Sequence, residues 1–197
     1  ELMALISRID WLITTLLKIS KLDKYHDGII GSEVTLKLEK DDNLALTLAV
    51  GSILSEYGFD VRYTRTEDYY ETPYQKAMDG NRAGADIFLS IHRNSSPIPN
   101  QYNGVESLVY SNQGLPALLA QNINSQMQRI GYRNVGVTER PNLIVLNSTS
   151  MPAVLVEAGF INSDRDNELF DSFFNETAYA IADGVAMTLF PQNYPNS

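Results

Sequence analysis

The chain has 197 residues, 44% hydrophobic and 20% charged, the proportions of a folded globular protein and enough length to bury roughly 70% of the surface of its unfolded form. Its 15 basic against 24 acidic residues leave a net charge of −9, which speaks against a phosphate-backbone binder and so against a nucleic-acid partner. There is no cysteine, which excludes disulfides, zinc ribbons, iron–sulfur clusters and a thiol nucleophile.

From the start of the chain, Leu2 to Ile19 is apolar but interrupted by Arg8, Asp10 and Lys18. Its longest uncharged run, Trp11 to Leu17, is too short for a transmembrane span, and no basic leader or small-residue cleavage site accompanies it. Residues 1–15 are taken as an N-terminal appendage without an assigned role, 16–190 as a single domain and 191–197 as a tail.

Leu16 to Leu22 predicts a first strand, followed by a loop marked by Gly28 and Gly31. Asp41-Asp42-Asn43 stands ahead of Leu46, Val50, Ile53 and Tyr57, the spacing of an amphipathic helix whose acidic start suits its dipole. Gly58 follows as its stop. Val61 to Thr64 predicts a short strand, and Thr72-Pro73 opens a second helix that Gly84 closes. Ile87 to Ile91 is the continuous apolar run of a strand covered on both faces. A loop over 94–103 leads to a strand over Val105 to Tyr110. Leu119, Ile123, Met127 and Ile130 mark a third helix ending at Gly131. Leu143 to Leu146 and Ala153 to Val156 predict two more strands. Asp164-Arg165-Asp166 reads as a solvated turn or helix start. Phe174, Ala178, Ile181, Val185 and Leu189 carry a last helix that Pro191 terminates. Met78, Met127, Met151 and Met187 are scattered as core fillers. Strands alternating with helices imply a three-layer αβα sandwich with a mainly parallel sheet.

In such sheets ligands bind beyond the carboxyl ends of strands. The two histidines of the chain, His26 and His92, each follow a predicted strand, and Glu157 follows another. Glu39 sits just before the first long helix. Two histidines and a glutamate fit a catalytic zinc ion with one open position, and a second glutamate then serves as proton shuttle. Each has a plainer reading alone: a solvated loop histidine for His26, a capping cluster for Glu39 to Asp42. Glu157, between Ala153-Val154-Leu155-Val156 and Ala158-Gly159-Phe160, resists one, because a carboxylate ending a buried strand needs a partner.

Three segments then carry a family resemblance: Leu38 to Leu44, Ala83 to Asn94 and Met151 to Asn162, with Tyr63-Thr64-Arg65 and Gly104-Val105-Glu106 in matching order. Together they resemble the zinc-dependent N-acetylmuramoyl-L-alanine amidases of the amidase-3 type, over about Leu16 to Leu189. The resemblance implies an αβα fold with a zinc ion held by His26, Glu39 and His92. It makes Glu157 the catalytic glutamate. The implied reaction is hydrolysis of the amide between N-acetylmuramic acid and L-alanine in peptidoglycan. The chain writes Asp23-Lys24-Tyr25-His26-Asp27-Gly28 where the family has Asp-Pro-Gly-His-Gly-Gly. Arg93 and Asn94, next to His92, are candidate substrate contacts, with a surface ion pair as the alternative for Arg93. Peptidoglycan is the expected partner, and the expected location is extracellular, in the cell wall or periplasm, with any export signal outside this chain. Two other readings stand beside this one: a peptidoglycan-binding or regulatory domain without catalysis, and a zinc peptidase acting on the stem peptide.

Overall fold

The computed structural model describes residues 14–18, 34–66 and 71–193, with side chains from 42 to 66 and 71 to 192. Its elements in order are β1 (Thr14–Lys18), α1 (Val34–Glu56), β2 (Asp60–Tyr63), α2 (Pro73–Ala83), β3 (Ile87–Asn94) and β4 (Val105–Val109). They continue as α3 (Gly114–Arg129), β5 (Asn134–Glu139), α4 (Ile144–Asn147), β6 (Ala153–Phe160), α5 (Asp164–Ser172) and α6 (Phe174–Leu189). A short 3-10 turn, Pro191–Asn193, follows.

The strands form one sheet in the order β2-β1-β3-β6-β4-β5, with β3 and β6 at its centre. Pairing is parallel at β3–β6 and β4–β5 and antiparallel at β2–β1, β1–β3 and β6–β4. The expected αβα sandwich is present, around a sheet that mixes both pairings. On one face Ile87, Leu89, Ile91, Val154 and Val156 pack against Leu46, Val50 and Leu54 of α1, Leu119 and Ile123 of α3, and Ile181 and Val185 of α6. On the other, Phe88, Leu108, Ala153 and Leu155 meet Val145 and Leu146 of α4 and Ala83 and Ala85 at the end of α2. Past Phe88 and Leu155 this second face turns polar, carrying His92 and Glu157, and there the candidate site lies.

Local signals explain several elements. Thr72 caps α2 through Gln75 in a reciprocal box, Pro73 occupies its first turn, and Gly84 ends it in the left-handed conformation. Burial of β3 on both faces follows from its unbroken apolar run. The first strand, Thr14–Lys18, starts two residues ahead of the expected Leu16; residues 19–22 of the expected run lie outside those described, as do the glycines of the loop after it. The first helix begins at Val34, so Asp41 and Asp42 lie in its interior instead of at its positive end. Leu143 to Leu146 is a single helical turn, not a strand: four apolar residues are too few to distinguish the two, and Val145 and Leu146 are buried as a turn over Phe88 and Leu155.

Candidate active site

Side chains alternate across a strand, so Ile91 and Arg93 of β3 face α1 and α5, while Ser90 and His92 face the other way. The Ser90 hydroxyl lies 2.9 Å from His92 Nε2, and both side chains are buried. His92 pairs in register with Glu157 of β6, and Glu157 pairs with Glu106 of β4. Register partners share a face, so His92, Glu157 and Glu106 form a row over three adjacent strands, about 4.8 Å per strand. Neither His92 nor Glu157 stands past a strand end as the apolar runs suggest. The ladder continues to Asn94↔Phe160, because pairing with the neighbour, not the apolar run, sets strand length.

Glu106 is half-buried, and its Oε1 accepts a 2.6 Å hydrogen bond from the Thr138 hydroxyl of β5. Its only cue in the sequence is the order of its motif, although a charged residue inside Val105-Glu106-Ser107-Leu108-Val109 is a signal that alternation could have caught. Asp166 holds the row from behind. It is buried at the start of α5, and its Oδ2 accepts from the Gly104 amide at 2.8 Å and the Phe160 amide at 2.7 Å. One carboxylate thus ties the beginning of β4 to the end of β6. Gly104 has φ 108°, and a Cβ there would strike the carbonyl oxygen of Arg133. The Asp164-Arg165-Asp166 cluster is therefore a helix start with a buried member, not a solvated turn.

Arg93 points away from this row. It is buried, donates to Asp42 Oδ2 at 2.7 Å and Asn167 Oδ1 at 2.5 Å, and lies 4.3 Å from the centre of the Phe170 ring. The expected ion pair is present, with its arginine buried instead of at the surface, and it forms a strut joining β3 to α1 and α5. Asn94 ends β3, and its Oδ1 accepts from the Ser95 amide at 2.8 Å. Farther off, burial pushes the Glu71 carboxyl above its usual range, with Asp79 adding to it and Lys76, Arg65 and Arg82 opposing.

His26 lies outside the described residues, and Glu39 is placed by its backbone within α1, not ahead of it, with its side chain outside them. Among the described residues no three His, Asp or Glu side chains converge as a metal set. His92, the one expected ligand whose side chain is described, fits a zinc ion. A histidine ligated through one ring nitrogen is oriented through the other, and Ser90 engages Nε2 of His92 in that way.

A buried imidazole and two carboxylates in one row at the polar end of an α/β sandwich have the chemistry of a hydrolytic site. The Amidase_3 family, described as N-acetylmuramoyl-L-alanine amidase, matches residues 23–187, and the chain belongs to it. The endolysin of Bacillus phage SPP1 is 34% identical over 180 residues, covering 87% of this chain and 66% of that protein. The sporulation-specific N-acetylmuramoyl-L-alanine amidase of Bacillus subtilis is 35% identical over 153 residues, covering 75% of this chain and 58% of that protein. The chain thus spans less than two thirds of the length of these relatives. Among solved structures, the catalytic domain of the amidase CwlV from Bacillus (Paenibacillus) polymyxa superposes with a TM-score of 0.69 at 32% identity, covering 77% of this chain and 84% of that one. The amidase AmiC2 of Nostoc punctiforme gives 0.71 at 28% identity, covering 85% and 90%.

Proposed function

We propose that this protein is a zinc-dependent hydrolase that cleaves the amide joining N-acetylmuramic acid to L-alanine in peptidoglycan. The observation that carries the reading is the row His92–Glu157 at the centre of the sheet in a chain of this family. His26, Glu39 and His92 would hold the zinc, a mixed imidazole and carboxylate set suited to that ion. When bound, the zinc supplies Lewis-acid polarisation of the scissile carbonyl and acidifies water near neutrality.

Glu157 takes a proton from the attacking water and passes it to the nitrogen of the leaving alanine. That transfer balances the step: the carbon–nitrogen bond breaks, a carboxylate forms on the lactyl group, and the stem peptide leaves with a free amine. Ser90 holds the His92 ring against rotation. Asp166 ties the β4 and β6 backbones together at the end of the ladder that carries Glu106 and Glu157. Asn94, at the end of the same strand as His92, would contact substrate. Action on the wall sets the workplace outside the cytoplasmic membrane. No helix among the described residues is long and apolar enough to cross one.

Mass spectrometry of the products from a purified muropeptide tests the reading. Peptides beginning with L-alanine and glycan bearing intact lactyl carboxylates are expected. Cleavage inside the stem peptide would make the protein a peptidase, and zinc-free protein that binds muropeptide without cutting it would make it a binding domain.

A further inference from the structure

Glu106 takes no part in the proton transfer above, yet it stands in the same row as the two groups that do. Antiparallel partners facing each other have Cβ atoms about 4.5–5.5 Å apart, and two carboxylates so placed repel. A fold without a use for Glu106 gains nothing from a second carboxylate beside Glu157. Its geometry is also fixed: Thr138 holds Oε1, while Oε2 has no protein partner among the described residues. On the far side, its register partner on β5 is Gly136, where an added Cβ would meet nothing within 4 Å. The row His92–Glu157–Glu106 therefore ends over open floor.

We propose that Glu106 binds the stem peptide by accepting a hydrogen bond from the backbone N–H of its second residue. This rests on the roles proposed for His92 and Glu157. The order of those roles sets the direction of the substrate. The scissile carbonyl lies at the His92 end, the leaving nitrogen at Glu157, and what the nitrogen carries lies beyond, at Glu106. One residue of extended peptide advances about 3.3–3.6 Å, so a strand spacing of about 4.8 Å beyond the scissile nitrogen reaches the next amide. An ionised carboxylate only accepts, and a peptide N–H is the donor that this side of the scissile bond offers in a fixed position. A muramoyl-alanine ending in a free carboxylate would instead place its negative charge against Glu106, so the site selects chains that continue past alanine.

The test pairs variants with substrates. Wild type, Glu106→Gln and Thr138→Val are assayed on a muramoyl tripeptide and on its analogue with an ester oxygen replacing the second-residue N–H. Wild type should lose about tenfold in kcat/KM on the ester, the worth of a charge-assisted hydrogen bond. Glu106→Gln should lose about tenfold on the peptide and little more on the ester, and should narrow the wild-type preference for tripeptide over muramoyl-alanine. Thr138→Val keeps the carboxylate and should show a smaller loss of the same pattern. Binding of the free tripeptide, measured by calorimetry, should weaken about tenfold in Glu106→Gln at unchanged zinc content. Equal losses on peptide and ester, or unchanged tripeptide binding, overturn the assignment while leaving the amidase reading intact. Failure of wild type to cut either substrate overturns that reading, and this one with it.

Discussion

Replacing Asp166 by alanine removes the acceptor shared by the Gly104 and Phe160 amides. Hydrogen bonds to a charged acceptor contribute about 1.5–3 kcal/mol each, so the two together amount to roughly 3–6 kcal/mol. Part of this is offset. Oδ1 of Asp166 is buried without a hydrogen-bond partner among the described residues, and deleting it recovers about 1–3 kcal/mol of desolvation cost. The net loss is about 2–3 kcal/mol, a large share of the 5–15 kcal/mol typical of a domain. Asp166→Asn keeps one oxygen able to accept from both amides and buries an unpaired amide nitrogen instead, so it should lose about 1–2 kcal/mol. Urea unfolding followed by circular dichroism measures both, with the slope unchanged if only native contacts are lost. Because the two bonds close the end of the ladder two and three residues from Glu106 and Glu157, turnover in the alanine variant should also fall at temperatures where it is fully folded. An alanine variant within about 0.5 kcal/mol of wild type would refute the reasoning, as would an asparagine variant equally impaired, since the loss would then follow the charge and not the acceptor.

Glu157→Gln should lower kcat by about a hundredfold or more with zinc content unchanged by elemental analysis; loss of zinc would make Glu157 a ligand. His26→Ala should weaken zinc binding by orders of magnitude in chelator competition and abolish cleavage, whereas retained affinity would remove His26 from the ligand set. Arg93→Ala should destabilise by about 2–3 kcal/mol in urea titration, through loss of its charge-assisted hydrogen bonds to Asp42 and Asn167 and its packing on Phe170, with KM for muropeptide unchanged; a raised KM in folded protein would restore a substrate contact. Glu71→Gln should raise Tm at pH 7, because burial disfavours the charged form of Glu71 in the folded state. With the folded pKa raised, the stability that Glu71 contributes is present below the unfolded carboxylate range and lost as pH rises through the folded pKa. The Tm difference should therefore shrink toward zero below about pH 4, and a difference that persists there would point to another cause.

The elements legible from sequence are those whose signals are local. α2 carries its cap, its proline and its terminating glycine within a single stretch, and β3 its unbroken apolar run. α6 repeats its apolar face over four turns, and its core residues Ala178, Ile181 and Val185 are buried as the periodicity predicts. The same local reading identified His92 and Glu157 as unusual, since polar groups next to buried runs stand out against their surroundings. It missed β5: Asn134 to Glu139 is a half-exposed edge strand whose only apolar alternation is Val135 and Val137 around Gly136, too short a signal to read before its pairing with β4. It also made a strand of α4, whose four apolar residues fit either period until Phe88 and Leu155 packed under them as a turn. Arg93, Glu106 and Asp166 were beyond its reach for a related reason. The partners that define them lie 51 and 74, 32, and 62 residues away in sequence, for Arg93, Glu106 and the Gly104 bond of Asp166 respectively. The sequence determined the strands and helices whose signals are local, and it marked His92 and Glu157 as the residues that bear the chemistry. Register, which lines up His92, Glu157 and Glu106 and turns Arg93 the other way, was decided only when distant strands met, because a side chain's face depends on the ladder that its backbone joins.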